Sequence, residues 1–185
     1  LSIAGLTAWK AVQDLGRTTA SDVVVVHGGG GGVGQLIVQL AVATGAIVYA
    51  TASARHHDTL ARWGAHPIDY ATEDWRAVVG KPTVIIDGVY FGTYEPSIEA
   101  LAPGDRLVVL PTLADLAPAK AKGLDVAVPS ITPDRGRLER LAEEVESGAL
   151  EVVVSAVYEL DQVAEAHRVV EGGHAQGKVL LRIGG

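Results

Sequence analysis

A run of glycines between a strand-like and a helix-like segment constrains the fold of this 185-residue chain more than any other feature. Six of its 22 glycines lie in the stretch VVVVHGGGGGVGQL, residues 23–36. Each glycine in an ordered element lowers the stability of the fold by roughly 0.5–1 kcal/mol relative to alanine. The run therefore predicts that another group must approach the backbone closely at this point. The β-branched residues before it predict a strand buried on both faces, and the apolar spacing after it predicts a helix.

Strand-like and helix-like segments alternate along the rest of the chain. Such alternation favours parallel strands joined by right-handed crossovers. The sequence therefore predicts an α/β fold with a doubly wound parallel sheet flanked by helices, and a loose connection at 113–123. The predicted helices are 4–16, 33–44, 55–63, 73–79, 94–101, 135–147 and 161–171, the last one capped by Asp161, and the predicted strands are 22–27, 46–53, 66–70, 83–87, 106–110, 124–130, 150–160 and 177–183.

In this context the glycines carry a recognisable spacing. Gly29, Gly31 and Gly34 fit G-x-G-x-x-G directly between a predicted strand and a predicted helix. The first glycine is expected to permit a tight turn, the second to admit a pyrophosphate, and the third to let the helix pack on the strand. The N–H groups near Gly32 and Val33 would then face the phosphates at the positive end of the helix dipole. We therefore predict one Rossmann-type dinucleotide-binding domain over residues 1–185.

The end of the second strand indicates which dinucleotide is bound. An NAD site usually places Asp or Glu there, about 20 residues past the glycines, to bind the ribose 2′-hydroxyl. Here the segment reads TASARHH, with Ser53, Arg55 and His56, and the first acidic residue is Asp58 inside the predicted helix. Arginine binds phosphate bidentately. The sequence therefore favours NADP(H) over NAD(H).

Short motifs allow the other classes of nucleotide-binding protein to be tested against this sequence. A Walker loop requires Lys and then Ser or Thr after the last glycine, but Gln35 and Leu36 stand there, so this class is excluded. A short-chain reductase requires Tyr-x-x-x-Lys, and no tyrosine is followed by Lys at that spacing. A methyltransferase would need an acidic residue near Ser53 and is a weaker interpretation. A non-enzymatic nucleotide sensor remains an open alternative.

Composition excludes several classes of partner. The net charge is −7 and no Lys/Arg-rich run occurs, which argues against a nucleic-acid groove. The chain has no cysteine, and therefore no disulfide framework and no thiolate zinc site. The neighbouring His56 and His57 would face different ways on a helix, which argues against a metal role. No apolar run reaches the roughly 18 residues of a membrane span, so we expect no membrane partner and a cytoplasmic location.

Several segments, in chain order, resemble the second half of the medium-chain dehydrogenases/reductases, and most closely their zinc-independent quinone oxidoreductase branch. The resemblance implies NADP(H)-dependent reduction of a quinone, an enone or a related activated double bond, with hydride passing from the nicotinamide without a metal. The segments that carry it are GLTAWKAV, VVVVHGGGGGVGQLIVQLA, GAIVYATAS, ARWGAHPIDY, ALAPGDRLVVL and YELDQVAEAHRVVEGGHAQGKVLL.

The resemblance also implies contact residues, sorted by the part of the cofactor that they would meet. Pro111 departs from the family's usual glycine, and Lys is the usual basic residue at the 2′-phosphate. Lys178 is interpreted as a family mark rather than a ligand. The implied residues are Thr7, Leu110 and Pro111 near the nicotinamide, Gly31, Gly32 and Val33 at the pyrophosphate, Ser53, Arg55 or His56, and Tyr70 at the 2′-phosphate, and Gly88 and Val89 by the adenosine ribose.

In that family the substrate cleft lies between the nucleotide-binding domain and an N-terminal catalytic domain. These 185 residues, which begin with Leu1, do not supply that second domain. We therefore expect a chain that binds NADPH but does not complete a pocket for a quinone or enone substrate, and that acts with an absent N-terminal catalytic domain. A homodimer is a further expectation.

Overall fold

A computed structural model describes residues 1–173 and 177–184. Its central feature is a six-stranded parallel sheet. The strands are β1 (Val23–His27), β2 (Ile47–Ala52), β3 (His66–Asp69), β4 (Val84–Asp87), β5 (Arg106–Val109) and β6 (Asp125–Ala127). Their order across the sheet is β3-β2-β1-β4-β5-β6, so the sheet grows in one direction from β1 to β3 and in the other from β4 to β6. This order confirms the predicted doubly wound fold.

Helices connect the strands. Every connection between successive strands of the central sheet joins parallel strands, which require a crossover of about a dozen residues or more. Residues 113–123, predicted to be a loose connection, contain a short helix that begins at Ala117, with Pro118 in its first turn, where proline is well tolerated. The helices are α1 (Ser2–Trp9), which continues as a π-helical segment (Lys10–Leu15), α2 (Gly34–Ala43), α3 (His57–Arg62), α4 (Trp75–Val79), α5 (Tyr94–Ala100), α6 (Ala117–Ala121), α7 (Arg135–Glu146) and α8 (Val163–Glu171).

The core lies on both faces of the sheet, because β1 is central and its side chains alternate. Val24 and Val26 point into a cluster with residues of α1, α2 and α7, whereas Val25 points into a second cluster with residues of α5 and α6. All three valines are fully buried. A continuous β-branched run is what a parallel strand covered on both faces requires, so the valine run is explained by the position of β1.

The last two strands form a separate sheet. The strands β7 (Val154–Glu159) and β8 (Lys178–Arg182) pair in parallel with each other, with Val157 opposite Leu180, and do not join the central sheet. The segment before β7 is held by side chains of α2. Gln39 donates to the carbonyl of Glu151 at 2.9 Å and accepts its N–H at 2.8 Å, and Gln35 accepts the N–H of Val153 at 2.8 Å.

The predicted cap of the last helix is wrong. Asp161 lies inside a short 3-10 turn (Leu160–Gln162) that precedes α8. The start of this turn is stabilised by a capping box, in which the N–H of Glu159 donates to the side chain of Gln162 at 3.0 Å. A Glu-x-x-Gln pair satisfies two backbone donors together, which a single Asp at position 161 cannot do.

Candidate functional site

A cleft of about 630 Å³ opens at the carboxyl ends of β1, β2 and β4. Its walls are the glycine loop after β1, the turn after β2 and the turn after β4. The chain leaves β1 and β4 toward opposite halves of the sheet, so this edge is the topological switch point where open α/β sheets bind their ligands. The predicted glycine loop, Ser53, Arg55, His56, Tyr70, Gly88 and Val89 come together here.

The loop requires glycine at its different positions for different structural reasons. The left-handed backbone conformation belongs to Gly28, with a φ of +80°, so the tight turn begins one residue before Gly29. A Cβ on Gly29 would lie 2.8 Å from the Cβ of Ala50, and one on Gly34 would collide with the carbonyl oxygen of Gly28. Gly29 and Gly34 therefore permit close packing of α2 and the loop on the sheet. Gly29 lies inside this turn, which the N–H of Gly31 closes by donating to the carbonyl of Gly28 at 3.0 Å, and the predicted packing role of Gly34 is confirmed.

The loop residues that face the cleft are less crowded. Among the residues that the structure describes, a Cβ on Gly31 would meet only the carbonyl oxygen of Gly28, at 3.3 Å. Within the described residues, the N–H groups of Gly32 and Val33 donate to no backbone acceptor. They immediately precede the ten-residue helix α2, where unpaired N–H groups and the helix dipole both favour a negative charge. The loop can therefore hold an anion such as a phosphate.

Lys178 adds a positive charge to this loop. The first residues of β8 reach it because the N–H of Gly177 donates to the carbonyl of Gly30 at 3.3 Å. A Cβ on Gly32 would lie 3.0 Å from the Nζ atom of Lys178. Lys178 is half-buried, and burial lowers the pKa of its ammonium group. No carboxylate lies within 4.0 Å of this ammonium in the part of the chain that the structure describes.

The turn after β2 brings a second cation, which lines the cleft itself. Arg55 is exposed, lines the cleft, and has no carboxylate within 4.0 Å among the described residues. Its Nε–H donates to the Nε2 atom of His56 at 3.2 Å. His56 is buried, and burial lowers its pKa, with smaller contributions in the same direction from the charges of Arg55 and His57. Ser53 also lines the cleft, and its carbonyl accepts the N–H of His56.

The opposite wall is ordered by a buried carboxylate. Asp87 is fully buried, and its Oδ1 accepts the N–H groups of Val89 at 2.8 Å and Tyr90 at 2.9 Å. Its Oδ2 accepts the hydroxyl of Thr93 at 2.8 Å. Asp87 therefore shapes the turn after β4, and the lone pairs engaged in the turn are not presented to a ligand.

Two aromatic side chains stand at the mouth of the cleft. Tyr70, a predicted contact, is 64% exposed, and Phe91, which was not predicted, is 86% exposed. An exposed aromatic residue in a turn belongs to no periodic pattern, so the sequence carries no signal for Phe91. Both rings are available for contact with an apolar or planar ligand.

The residues predicted near a nicotinamide do not line this cleft. The hydroxyl of Thr7 donates to the carbonyl of Ile3 at 2.8 Å, within its own helix. The N–H of Leu110 donates to the carbonyl of Asp87 at 2.9 Å, and its side chain approaches the turn at Gly88. Thr7, Leu110 and Pro111 therefore remain predictions as ligand contacts.

Directly beneath the loop lies a buried imidazole. His27 is 1% exposed, its Nδ1 atom is 3.1 Å from the hydroxyl of Thr51, and its ring meets that of Trp75 edge to face. Burial lowers the pKa of His27 to about 4, against an opposing contribution from Asp87. The ring is therefore neutral at physiological pH and supports the loop from below.

Residues 1–173 and 177–184 contain no group of three or more His, Asp or Glu side chains that could hold a metal ion. Their helices include none with both the length and the hydropathy needed to cross a membrane. The expectation of a zinc-independent reaction stays a prediction.

Comparison with known proteins relates this architecture to a family. A family profile described as zinc-binding dehydrogenase matches residues 63–181. The chain is 28% identical over 204 residues to a phenolphthiocerol/phthiocerol polyketide synthase of Mycobacterium tuberculosis, and the match covers 98% of this chain and 9% of that one. It is 29% identical over 196 residues to a probable quinone oxidoreductase of Schizosaccharomyces pombe, over 96% of this chain and 60% of the relative. The chain thus spans less than two thirds of either relative.

Solved structures agree with these relatives. The quinone oxidoreductase from Coxiella burnetii superposes with a TM-score of 0.94 at 31% identity, over 100% of this chain and 59% of that one. The mycobacterial protein Rv1454c, solved in complex with NADPH, superposes with a TM-score of 0.83 at 26% identity, over 98% of this chain and 63% of that one. The family profile covers more than half of the chain. The chain therefore belongs to the zinc-binding dehydrogenase family, and it is the nucleotide-binding half of a medium-chain dehydrogenase/reductase of the quinone oxidoreductase-like branch.

Proposed function

We propose that residues 1–185 bind NADP(H) and form the cofactor half of an oxidoreductase that transfers hydride between NADPH and a quinone, an enone or a similar activated double bond. The observation that carries the proposal is a pair of cations, Arg55 in the cleft and Lys178 at the glycine loop that forms one of its walls. Arg55 and Lys178 both lack a carboxylate partner among the described residues, in a chain whose net charge is −7. Cations left without a partner in an acidic protein are suited to an anionic ligand.

The two cations would bind different parts of the cofactor. Lys178 lies at the glycine loop, together with the free N–H groups of Gly32 and Val33, and would bind the pyrophosphate. Arg55 lies at the end of β2, where a dinucleotide places its ribose, and would bind a 2′-phosphate. No Asp or Glu stands at the end of β2, where an NAD site would use one to bind the ribose 2′-hydroxyl. This arrangement favours NADP(H) over NAD(H).

The remaining contacts would orient the adenosine. Gly88 and Val89, held by Asp87, form the wall opposite the glycine loop, while Tyr70 and Phe91 border the mouth. When bound, the cofactor supplies a hydride that it can give to an electron-poor carbon. The contribution of this chain is to bind the phosphates, fix the adenosine and so direct the other end of the cofactor toward the substrate.

The substrate class rests on the relatives and on the resemblance. A quinone oxidoreductase is found both among the curated relatives and among the solved structures, and both are longer than this chain. Hydride transfer requires donor and acceptor in near-attack geometry. We propose that the second wall of the substrate pocket comes from an N-terminal catalytic domain.

The proposed function is tested on a polypeptide in which the proposed N-terminal catalytic domain precedes this chain. NADPH consumption is followed at 340 nm with a simple quinone and with an enone, against a control without protein. Turnover with either acceptor is expected. Tight NADPH binding without turnover of either acceptor would contradict the enzymatic proposal and favour a nucleotide sensor.

A further inference from the structure

His56 occupies an unusual place for a residue at the rim of a binding cleft. Its side chain is only 6% exposed, and its ring lies against the glycine loop. A Cβ on Gly30 would lie 2.5 Å from the Cδ2 atom of His56, so the absence of a side chain at Gly30 makes room for the ring. The glycine loop therefore accommodates His56 as well as a ligand.

The hydrogen bond between His56 and Arg55 determines the state of the imidazole. A guanidinium group only donates hydrogen bonds, and the Nε–H of Arg55 is directed at the Nε2 atom of His56, at 3.2 Å. Nε2 must therefore carry the lone pair, which makes the ring neutral with its proton on Nδ1. Nδ1 has no hydrogen-bond partner among the described residues, so Arg55 is the partner that sets the tautomer.

The surroundings of His56 contain few other charges. Arg55 and His57, on the same turn, lower its pKa in addition to the effect of burial. The small cavity that the imidazole lines holds no other titratable side chain among the described residues. Its other lining residues are Gly30, Gln35, Thr59, Leu60, Trp63, Val153 and Gly177.

This bond also restricts how Arg55 can meet a ligand. A guanidinium group presents five donors in a planar fork, and it can meet a phosphate along the edge that includes Nε or along the edge formed by its two terminal amino groups. His56 accepts the hydrogen bond from the Nε–H of Arg55, so the edge that includes Nε is not available to a phosphate. The second edge is left for a phosphate, and the side chain loses less freedom when it binds one.

We propose that His56 is a positioning residue for cofactor discrimination, which as a neutral acceptor holds the guanidinium of Arg55 so that its terminal amino groups meet the 2′-phosphate. The inference rests on the proposed NADP(H) function and assigns His56 a role other than that of a direct phosphate ligand. Selectivity between NADP⁺ and NAD⁺ then depends on the hydrogen-bond acceptor at position 56 and on the guanidinium that it orients.

The test compares two substitutions that differ in this acceptor. His56→Gln places an amide oxygen near the position of Nε2, whereas His56→Leu keeps a buried side chain without an acceptor. The ratio of the Kd for NAD⁺ to the Kd for NADP⁺ is measured for wild type, both variants, Arg55→Ala and the double variant Arg55→Ala/His56→Leu. Thermal unfolding of each protein checks that it is folded.

The expected results distinguish a role of His56 in positioning Arg55 from a role in packing alone. His56→Leu should lower the ratio by about fivefold, the scale of one long side chain left to be ordered on binding, and His56→Gln should retain it within about twofold on the same scale. The double variant should have the ratio of Arg55→Ala alone, because the two residues act through one contact. A His56→Leu protein with the wild-type ratio, or a His56→Gln protein as impaired as His56→Leu, would overturn the inference.

Failure of the proposed NADP(H) function would give different results from failure of the role of His56 alone. If wild type binds neither dinucleotide, or if Arg55→Ala leaves the ratio unchanged, the phosphate site itself is wrong and the inference fails with it. If Arg55→Ala lowers the ratio while His56→Leu does not, only the role of His56 is wrong.

A pH series keeps the inference testable if His56→Leu does not fold. Protonation of Nε2 removes the acceptor, so the wild-type ratio should fall as pH drops through the pKa of His56, which lies below its ordinary 6.5. The 2′-phosphate also titrates, near pH 6, but it does so equally with His56→Gln. The ratio should therefore fall further in wild type than in His56→Gln, and identical pH profiles would overturn the inference.

Discussion

Individual glycines in the loop after β1 can be told apart by what a side chain would meet. Gly28 supplies the left-handed turn, and Gly29 and Gly34 allow the backbone to pack closely. Gly31 and Gly32 instead border the region where the free N–H groups and the ammonium of Lys178 meet. A substitution at Gly29 is therefore a test of folding, whereas a substitution at Gly31 is a test of binding.

Gly31→Val should abolish most cofactor binding while the fold survives. Within the described part of the chain the new Cβ would meet only one carbonyl oxygen at 3.3 Å, but the branched side chain would occupy the proposed position of the pyrophosphate. NADPH affinity should fall by about two orders of magnitude or more, since both phosphates lose their backbone contacts. Gly136→Val, in α7 and remote from the cleft, is the matched control. Normal NADPH binding by Gly31→Val would show that the phosphates lie elsewhere.

Arg55→Ala and Lys178→Ala should weaken binding in different ways. Arg55→Ala removes the proposed 2′-phosphate contact, so NADPH should bind about 1–3 kcal/mol more weakly, the scale of a charged hydrogen bond, with NADH nearly unchanged. Lys178→Ala removes a charge at the pyrophosphate, which both dinucleotides share, and should weaken both about equally. Calorimetric titration of each variant with each dinucleotide measures the difference. Equal losses of NADPH and NADH on Arg55→Ala would contradict its assignment.

At the scale of elements, local signals predicted the strands of both sheets, but not that β7 and β8 form a sheet of their own. The valine run and the glycine spacing lie within single segments, and parallel strands bring their carboxyl ends to one edge, so Ser53, Arg55 and Gly88 could be placed at one cleft. Lys178 could not, because its approach to the loop depends on where β7 and β8 dock. That docking relies on Gln35 and Gln39, whose bonds to the segment before β7 join residues more than 100 positions apart.

The start of β1 is fixed by a buried carboxylate whose hydrogen bonds make stability depend on pH. Asp22 accepts hydrogen bonds from the N–H of Thr19 at 2.8 Å and from the hydroxyl of Thr83 at 2.8 Å, and pairs with Arg106. Burial alone would raise the pKa of Asp22, but these hydrogen bonds outweigh it and the pKa is lowered. A carboxylate whose folded pKa is below the unfolded one, about 3.9, stabilises the fold above that value and loses this effect as pH falls through the folded pKa.

Asp22→Asn tests this dependence. At neutral pH the variant should be less stable by about 1–3 kcal/mol, because a charged acceptor of several hydrogen bonds is lost. The difference in free energy of unfolding between wild type and variant should stay constant above about pH 5 and shrink below about pH 4, where Asp22 becomes protonated first in the unfolded chain and, at lower pH, in the folded protein. Urea unfolding across this pH range measures it, and a difference that does not change with pH would contradict the lowered pKa. The comparison cancels the contributions of His27 and His56, which both proteins share.

At the scale of the whole molecule, two cations that have no carboxylate partner within residues 1–173 and 177–184 lie at one edge of the sheet of an acidic chain. Arg55 approaches from the first half of the chain and Lys178 from its end. The relatives extend well beyond the part of their length that this chain matches. This difference in length supports the proposal that these 185 residues bind the cofactor and that the substrate surface is shared with an N-terminal catalytic domain.

The chain alone should bind NADPH without reducing quinones at an enzyme-like rate. Correct positioning of donor and acceptor can supply roughly 7–11 kcal/mol of barrier reduction, and a single wall of a cleft cannot position both. NADPH consumption at 340 nm with a quinone or an enone should stay near the background without protein. Turnover faster than about 1 per second, at the low end for enzymes, would show that these residues build a complete site.

The central claim is that the cleft between the glycine loop and Arg55 is a site for NADPH, and calorimetric titration of the wild-type chain with NADPH and with NADH tests it most directly. The two ligands differ only in the 2′-phosphate, so the difference between their affinities isolates the contact assigned to Arg55, while the affinity for NADH reports the contacts of the glycine loop and Lys178. Saturable binding of both, with NADPH bound more tightly, is the predicted result. Equal affinities, or tighter binding of NADH, would contradict the phosphate site, and the absence of saturable binding by either would contradict the cleft as a dinucleotide site.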